Sequence, residues 1–211
     1  MKLPHGGDDG IPDDSHLREH RAGVDLQVRG NFLEMRRDLV RLPDGAPATR
    51  EYVVHPGAVA IVPMLDDGRL VLERQFRYPV GKVLLEFPAG KIDPGESTFD
   101  TARRELLEET GYLAREWARA GVWHNAAAYS TEGIEIWFAR GLSAGRQRLD
   151  AGEFIELCLM TEDELDAHAA AGRLSDMKTM IGLHWLQRWR AGHWALQWRT
   201  PDAPAPGIIG A

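Results

Sequence analysis

The chain has 211 residues, a length that holds one domain, or one domain with a small appendage. Its 25 Lys and Arg against 32 Asp and Glu leave a net charge of -7, whereas a general nucleic-acid binder presents a basic face. Hydrophobic residues at 44% supply a core, yet no apolar run reaches the ~18 residues of a membrane span and MKLPHGGDDG lacks the apolar stretch of a secretory leader, so the expectation is a cytoplasmic protein.

Residues 1–22, with Gly-Gly-Asp-Asp and Pro-Asp-Asp and few large apolar side chains, have the composition of a mobile tail. Residues 23–54 are expected to hold N-terminal strands: 32–42 and 49–54 flank the turn Pro43-Asp44-Gly45 and read as a hairpin. Further strands are expected at 57–65 and 70–77, split by Asp66-Asp67-Gly68, and at 83–87. A helix opens after Gly95: Ser97 and Asp100 have capping-box spacing, Phe99, Ala102 and Leu106 share a face, and Gly111 ends it. Strands follow at 121–124, 134–140 and 154–160, the last carrying the single cysteine, Cys158, expected buried and inert. One cysteine excludes an intramolecular disulfide and a cysteine-cluster metal site.

Thr161-Glu162-Asp163-Glu164 caps a second helix reaching about residue 171. A third opens near Ser175 and carries Met177, Met180, Ile181, His184, Trp185 and Trp189. Trp185 and Trp189, four apart, are expected to pack against the body rather than stack on a base. His55 and His124 read as hydrogen-bonded structural histidines, since no histidine cluster has zinc spacing. Residues 201–211 have the Pro/Gly/Ala composition of a frayed end. No internal repeat is visible, and strands interleaved with few helices indicate an α/β (α+β) sandwich with a mixed sheet.

The densest chemistry lies in GKIDPGESTFDTARRELLEETGY, residues 90–112. Glu105, Glu108 and Glu109 sit at i, i+3 and i+4 and so share one helix face. Like charges at that spacing repel, and an oxygen-seeking cation such as Mg²⁺ or Mn²⁺ reverses the sign of the interaction. Glu96, on the loop before the helix, is placed to pair with Arg104 and brace that loop, while Leu106 and Leu107 are expected to face inward.

Gly90, five residues, Glu96, seven residues, then Arg104-Glu105-Leu106-Leu107-Glu108-Glu109-Thr110-Gly111 resembles the signature of Nudix hydrolases, with Tyr112 standing where an aliphatic residue is usual. The resemblance implies an α/β/α sandwich, preceded here by the N-terminal hairpin region. It also implies hydrolysis of a nucleoside diphosphate linked to another group, using Mg²⁺ or Mn²⁺. Gly90, Glu96, Arg104 and Gly111 are then structural positions of the motif. Glu105 and Glu109 are the principal metal ligands, Glu108 shares the cluster and its catalysis, and the Ala89 carbonyl is a further ligand.

The stretches Glu73-Arg74-Gln75-Phe76-Arg77-Tyr78-Pro79, Leu85-Glu86-Phe87-Pro88-Ala89-Gly90-Lys91, His55-Pro56-Gly57-Ala58-Val59 and Gly152-Glu153-Phe154-Ile155-Glu156 are similar to the ADP-ribose pyrophosphatase branch. That similarity spans about residues 30–190, within an expected Nudix domain at 55–200. It implies that Arg77 binds the diphosphate, a task suited to a planar guanidinium. It further implies that Glu86 contacts substrate or metal, that Glu153 orients or deprotonates the attacking water, and that Glu51 helps hold the adenosine half. Members of the branch are homodimers whose N-terminal strands cross to the partner. One departure touches the substrate: Ala127 occupies the place of a proline common in ADP-ribose enzymes. ADP-ribose is the first expectation. Another nucleoside diphosphate sugar or dinucleotide is the second, and a non-catalytic nucleotide-sensing module the third.

Overall fold

The computed structural model describes residues 14–202, within which the chain divides into two compact units. The expectations for residues 1–13 and 203–211 lie outside the described residues.

The first unit comprises the chain up to His55 together with Ala128–Ser130. After a single 3-10 turn at Ser15–Leu17, β1 (His20–Arg29), β2 (Glu34–Arg41) and β3 (Pro47–Val54) form an antiparallel sheet in the order β1-β2-β3. The β2–β3 hairpin closes as its turn residues require: Gly45 takes φ 87°, and Asp44 accepts the Ala46 N–H at 2.9 Å. β1 corrects the tail expectation, because a strand already begins at His20. Its register against β2 slips between Arg21 and Gly23 and again between Val24 and Leu26, although Val24, Leu26 and Val28 alternate in the sequence. On one face Asp38, 4% exposed, accepts from Tyr52 at 2.7 Å and pairs with Arg21 at 2.9 Å. The opposite face carries Val28, Met35 and Leu39, all exposed.

The second unit comprises Pro56–Ala127 and Thr131–Asp202. It contains β4 (Ala58–Pro63), β5 (Leu70–Arg77), β6 (Lys82–Glu86), β7 (Ala89–Lys91), α1 (Thr98–Thr110), β8 (Tyr112–His124), β9 (Gly133–Ala144), β10 (Ile155–Met160), α2 (Glu162–Ala170), α3 (Met177–Arg190) and β11 (Trp198–Arg199). A five-stranded sheet runs β11-β8-β9-β4-β7, and a three-stranded one runs β10-β5-β6. The larger sheet is mixed, β4 lying parallel to β9 and antiparallel to β7. β4 is apolar along its whole length because both of its faces are covered. Ala58, Ala60 and Val62 join Leu165 of α2 and Leu183 and Leu186 of α3 in one core layer. Val59 and Ile61 join Ala102 and Leu106 of α1 in the other. This is the α/β/α sandwich with a mixed sheet.

The turn at residues 66–68 joins strands of different sheets, bridged at Met64–Leu70. Two details depart from expectation. Strand β8 begins at Tyr112, nine residues before the expected strand at 121, although Leu, Ala, Arg and Glu in that stretch favour a helix. Continuous pairing with β9, interrupted only at Arg119/Gly121, overrides that preference. Cys158 is half-buried rather than buried, and that burial raises its thiol pKa. The tryptophans pack as expected: Trp185 meets Trp123 edge-on at 6.1 Å, and Trp189 lies 6.4 Å from Phe138.

Candidate active site

The loop–helix segment 90–111 is held by local chemistry. Ser97 caps α1 by accepting the Asp100 N–H. Gly111 closes it in the left-handed conformation, φ 72°, where a Cβ would also meet the Gln147 nitrogen at 2.7 Å, so glycine is required twice over. Arg104 is the hub of the segment. It donates to both oxygens of Glu96 at 3.0 and 2.9 Å, to Glu105 at 2.8 Å, to Glu108 at 3.0 Å and to the Lys91 carbonyl at 3.2 Å. The Arg104 hydrogen bonds hold the Glu96 carboxyl below its usual pKa.

Glu105 and Glu109 reach from α1 to β7. The Ala89 N–H donates to Glu109 at 2.9 Å, and the Glu105 carboxylate lies directly against Gly90, where any side chain would overlap it. Gly90 is therefore a cradle for a carboxylate. Glu109 is 2% exposed. Burial first, then the charges of Glu73, Glu105 and Glu153, push its pKa far above the carboxylate range. Burial likewise raises Glu105 to about 7, against the opposing pull of Arg104.

A second set of charges comes from the three-stranded sheet. Glu73, Gln75 and Arg77 alternate along one face of β5, and Glu86 of β6 stands directly opposite Glu73. Arg77 grips Glu86 bidentately, Nε to Oε1 at 2.9 Å and Nη2 to Oε2 at 2.7 Å. Lys178 of α3 donates to the same Glu86 Oε2 and to Asp176 at 3.0 Å. Burial would raise the Glu86 pKa, but Arg77 and Lys178 outweigh it and hold the group below the usual value. The substrate- or metal-contacting role implied for Glu86 thus meets a carboxylate already engaged on both oxygens. Glu153, on the loop before β10, is reached by Gln75 Nε2 at 3.5 Å and by the Asp150 N–H at 3.3 Å. Glu51 belongs to the first unit, where it is ion-paired with Arg37 at 3.2 Å.

Glu73 and Lys178 were not singled out from the sequence. Glu73 is fully buried, and neither carboxylate oxygen has a hydrogen-bond partner. Burial drives its pKa up, with Lys178 opposing. A charge ending the apolar run Leu70-Val71-Leu72 was the one available signal for it. Nothing local marks Lys178, whose partner Glu86 lies 92 residues away.

Among the described residues no three His, Cys, Asp or Glu side chains already form a metal-holding group. The donors nonetheless fit a hard divalent cation. Glu105 and Glu109 offer only oxygen, and burial raises both their pKa values, a penalty that a bound cation would offset.

A family model described as the NUDIX domain matches residues 54–180. The chain belongs to the Nudix family. This Nudix hydrolase is 33% identical over 173 residues to the ADP-ribose pyrophosphatase of Bacillus subtilis (strain 168), covering 81% of this chain and 94% of the relative. It is 36% identical over 160 residues to the methanol dehydrogenase activator of Bacillus methanolicus, covering 75% and 86%. A crystal structure of an ADP compounds hydrolase matches with a TM-score of 0.74 over 83% of this chain and 95% of that one; at 23% identity the likeness is one of fold. Membership accounts for the Gly90–Glu105 cradle and the Arg104–Glu96 brace as two consequences of one motif. No helix among the described residues is long and apolar enough to cross a membrane.

Proposed function

We propose that this Nudix hydrolase cleaves the diphosphate of a nucleoside diphosphate derivative with Mg²⁺ or Mn²⁺, and that its substrate is ADP-ribose, released as AMP and ribose 5-phosphate. The observation that carries the reading is the seating of Glu105 and Glu109 against Gly90 and Ala89, with burial raising the pKa of both. The extent of similarity to an ADP-ribose pyrophosphatase supports the choice of substrate.

Glu105 and Glu109 would hold the cation, with Glu108 and the Ala89 carbonyl completing the oxygen set. Bound there, it supplies Lewis-acid polarisation of the phosphoryl oxygens and a more acidic water. Arg77 has five N–H donors and spends two on Glu86, leaving three for the diphosphate. Glu153 accepts the proton of the attacking water as the new P–O bond forms and the bridging P–O bond breaks. Arg104 and Glu96 keep the motif loop on α1 throughout. A purely nucleotide-sensing module has no need of this carboxylate set, and every glutamate of the motif is retained.

The test is a phosphate-release screen over ADP-ribose, other nucleoside diphosphate sugars and dinucleotides, with Mg²⁺ and with chelator. Turnover of ADP-ribose that stops on chelation is expected; no turnover of any substrate with metal overturns the enzymatic reading. In the same assay Glu153→Gln is expected to slow turnover about 10²-fold or more. A near-normal rate removes Glu153 from the mechanism.

The homodimer belongs to the same proposal. Val28, Met35 and Leu39 expose apolar surface on one face of the β1–β3 sheet, which a second copy would cover. Sedimentation is expected to show a dimer weakened by Leu39→Glu, and a monomeric wild type overturns this part.

A further inference from the structure

Residues 176–179 of α3 grip residues 86–87 of the sheet in two chemically different ways. Thr179 Oγ1 accepts the Phe87 N–H at 2.8 Å and donates to Asp176 at 2.6 Å, while Asp176 also caps the helix through the Thr179 N–H at 2.9 Å. This anchor, fully buried at Thr179 and built on the Asp176 carboxylate, docks the helix start on the strand end. Lys178 adds an ammonium shared between Asp176 and Glu86. Its side chain is only 10% exposed. Burying an ammonium is unfavourable unless its partners repay the lost hydration, and here two little-exposed carboxylates do so, which ties the placement of Glu86 to Lys178.

The consequence falls on Arg77. The Glu86 carboxylate, 1% exposed, is held by two cations, of which Arg77, 36% exposed, is the more open to solvent and Lys178, 10% exposed, the less. A carboxylate held by Arg77 alone could swing with it. Fixed at Oε2 by Lys178 as well, it presents a rigid edge to which the planar guanidinium binds through both oxygens. The other charges facing the ammonium are Asp176 and, without a hydrogen bond, Glu73.

We propose that Lys178 is a positioning residue of the hydrolytic site: held by Asp176, its ammonium locks Glu86 so that Arg77 presents its free N–H groups to the substrate diphosphate. The proposal rests on the reading of Arg77 as the diphosphate-binding arginine. Lys178 touches no substrate; it acts through Glu86 and Arg77.

The test is a double-mutant cycle on the full chain, read as the dissociation constant of ADP-ribose by calorimetry under chelator, where binding is separated from turnover. Lys178→Met is expected to weaken binding about tenfold, and in an Arg77→Ala background its effect should shrink to less than about twofold, because the two residues act as one unit. Lys178→Arg, which keeps the charge, is expected to recover most of the affinity, which a packing role would not predict. If Lys178→Met does not fold by circular dichroism, Lys178→Gln replaces it in the cycle. Equal effects of the Lys178 substitution with and without Arg77 overturn the proposal, as does a wild type that binds no ADP-ribose. Binding with the expected coupling but no turnover with Mg²⁺ counts against the hydrolytic reading alone.

Discussion

Replacing Glu109 with glutamine is expected to lower kcat by about three orders of magnitude, equivalent to about 4 kcal/mol of transition-state stabilisation, while leaving the fold intact. Glutamine keeps the size of the side chain and can still accept the Ala89 N–H, so only the charge is lost. The same substitution carries a thermodynamic signature. Glu105 and Glu109 have pKa values raised in the folded chain, so metal-free folding is penalised as pH climbs out of the ordinary carboxylate range, toward about 7 for Glu105. A divalent ion removes that penalty. The rise in Tm on adding Mg²⁺ should therefore be larger at about pH 8 than at about pH 5.5, where these groups are largely protonated. Glu109→Gln should raise the metal-free Tm at the higher pH and abolish most of the Mg²⁺ response. Thermal unfolding with and without chelator checks both signs. A full Mg²⁺ response in the variant would show that the ion does not depend on Glu109.

Gly90→Ala is the second large effect expected, and it separates site geometry from stability. The added methyl group would overlap the Glu105 carboxylate, which is the far end of a flexible side chain and can swing away at little cost to the fold. Gly90 is not among the positive-φ glycines and lies in β7 opposite Val59, so the backbone accepts alanine. The displaced carboxylate, however, no longer sits where the proposed cation needs it. A misplacement of about 1 Å can cost about 10²-fold in rate, and a loss of that order is expected with Tm nearly unchanged. Parallel kinetics and thermal unfolding decide the matter: near-normal kcat would remove the Gly90–Glu105 cradle from the mechanism.

The features legible in the sequence are those whose cause is local. Ser97 and Thr161 cap helices within three residues of themselves, Gly111 ends one by its own φ, and Pro43-Asp44-Gly45 turns a hairpin within a few positions. The brace between Glu96 and Arg104 spans eight residues and was anticipated from spacing alone. β8 and β11 were missed in whole or part because their strand character comes from pairing: residues 112–120 depend on β9, and Trp198–Arg199 on Trp117 and Ala118. Only the start of β1 fell inside the expected tail, since His20 and Arg21 are strand residues through their pairing with Arg41 and Val40 of β2.

By itself, then, the sequence determined the family motif, the carboxylate-rich helix that carries it, and the order of most elements, because each is written in short-range spacing. Only the tertiary structure decided how the charges are shared. It brought Lys178 to Glu86 across 92 residues, engaged both Glu86 oxygens with cations, buried Glu73 without a hydrogen-bond partner and set Glu105 into the cradle at Gly90. The physical reason is that burial sets the energy of a charge, and burial is a property of the packed layers. A glutamate reads the same in a string whether water or protein surrounds it; the sandwich of α1, the sheets and α3 makes the difference.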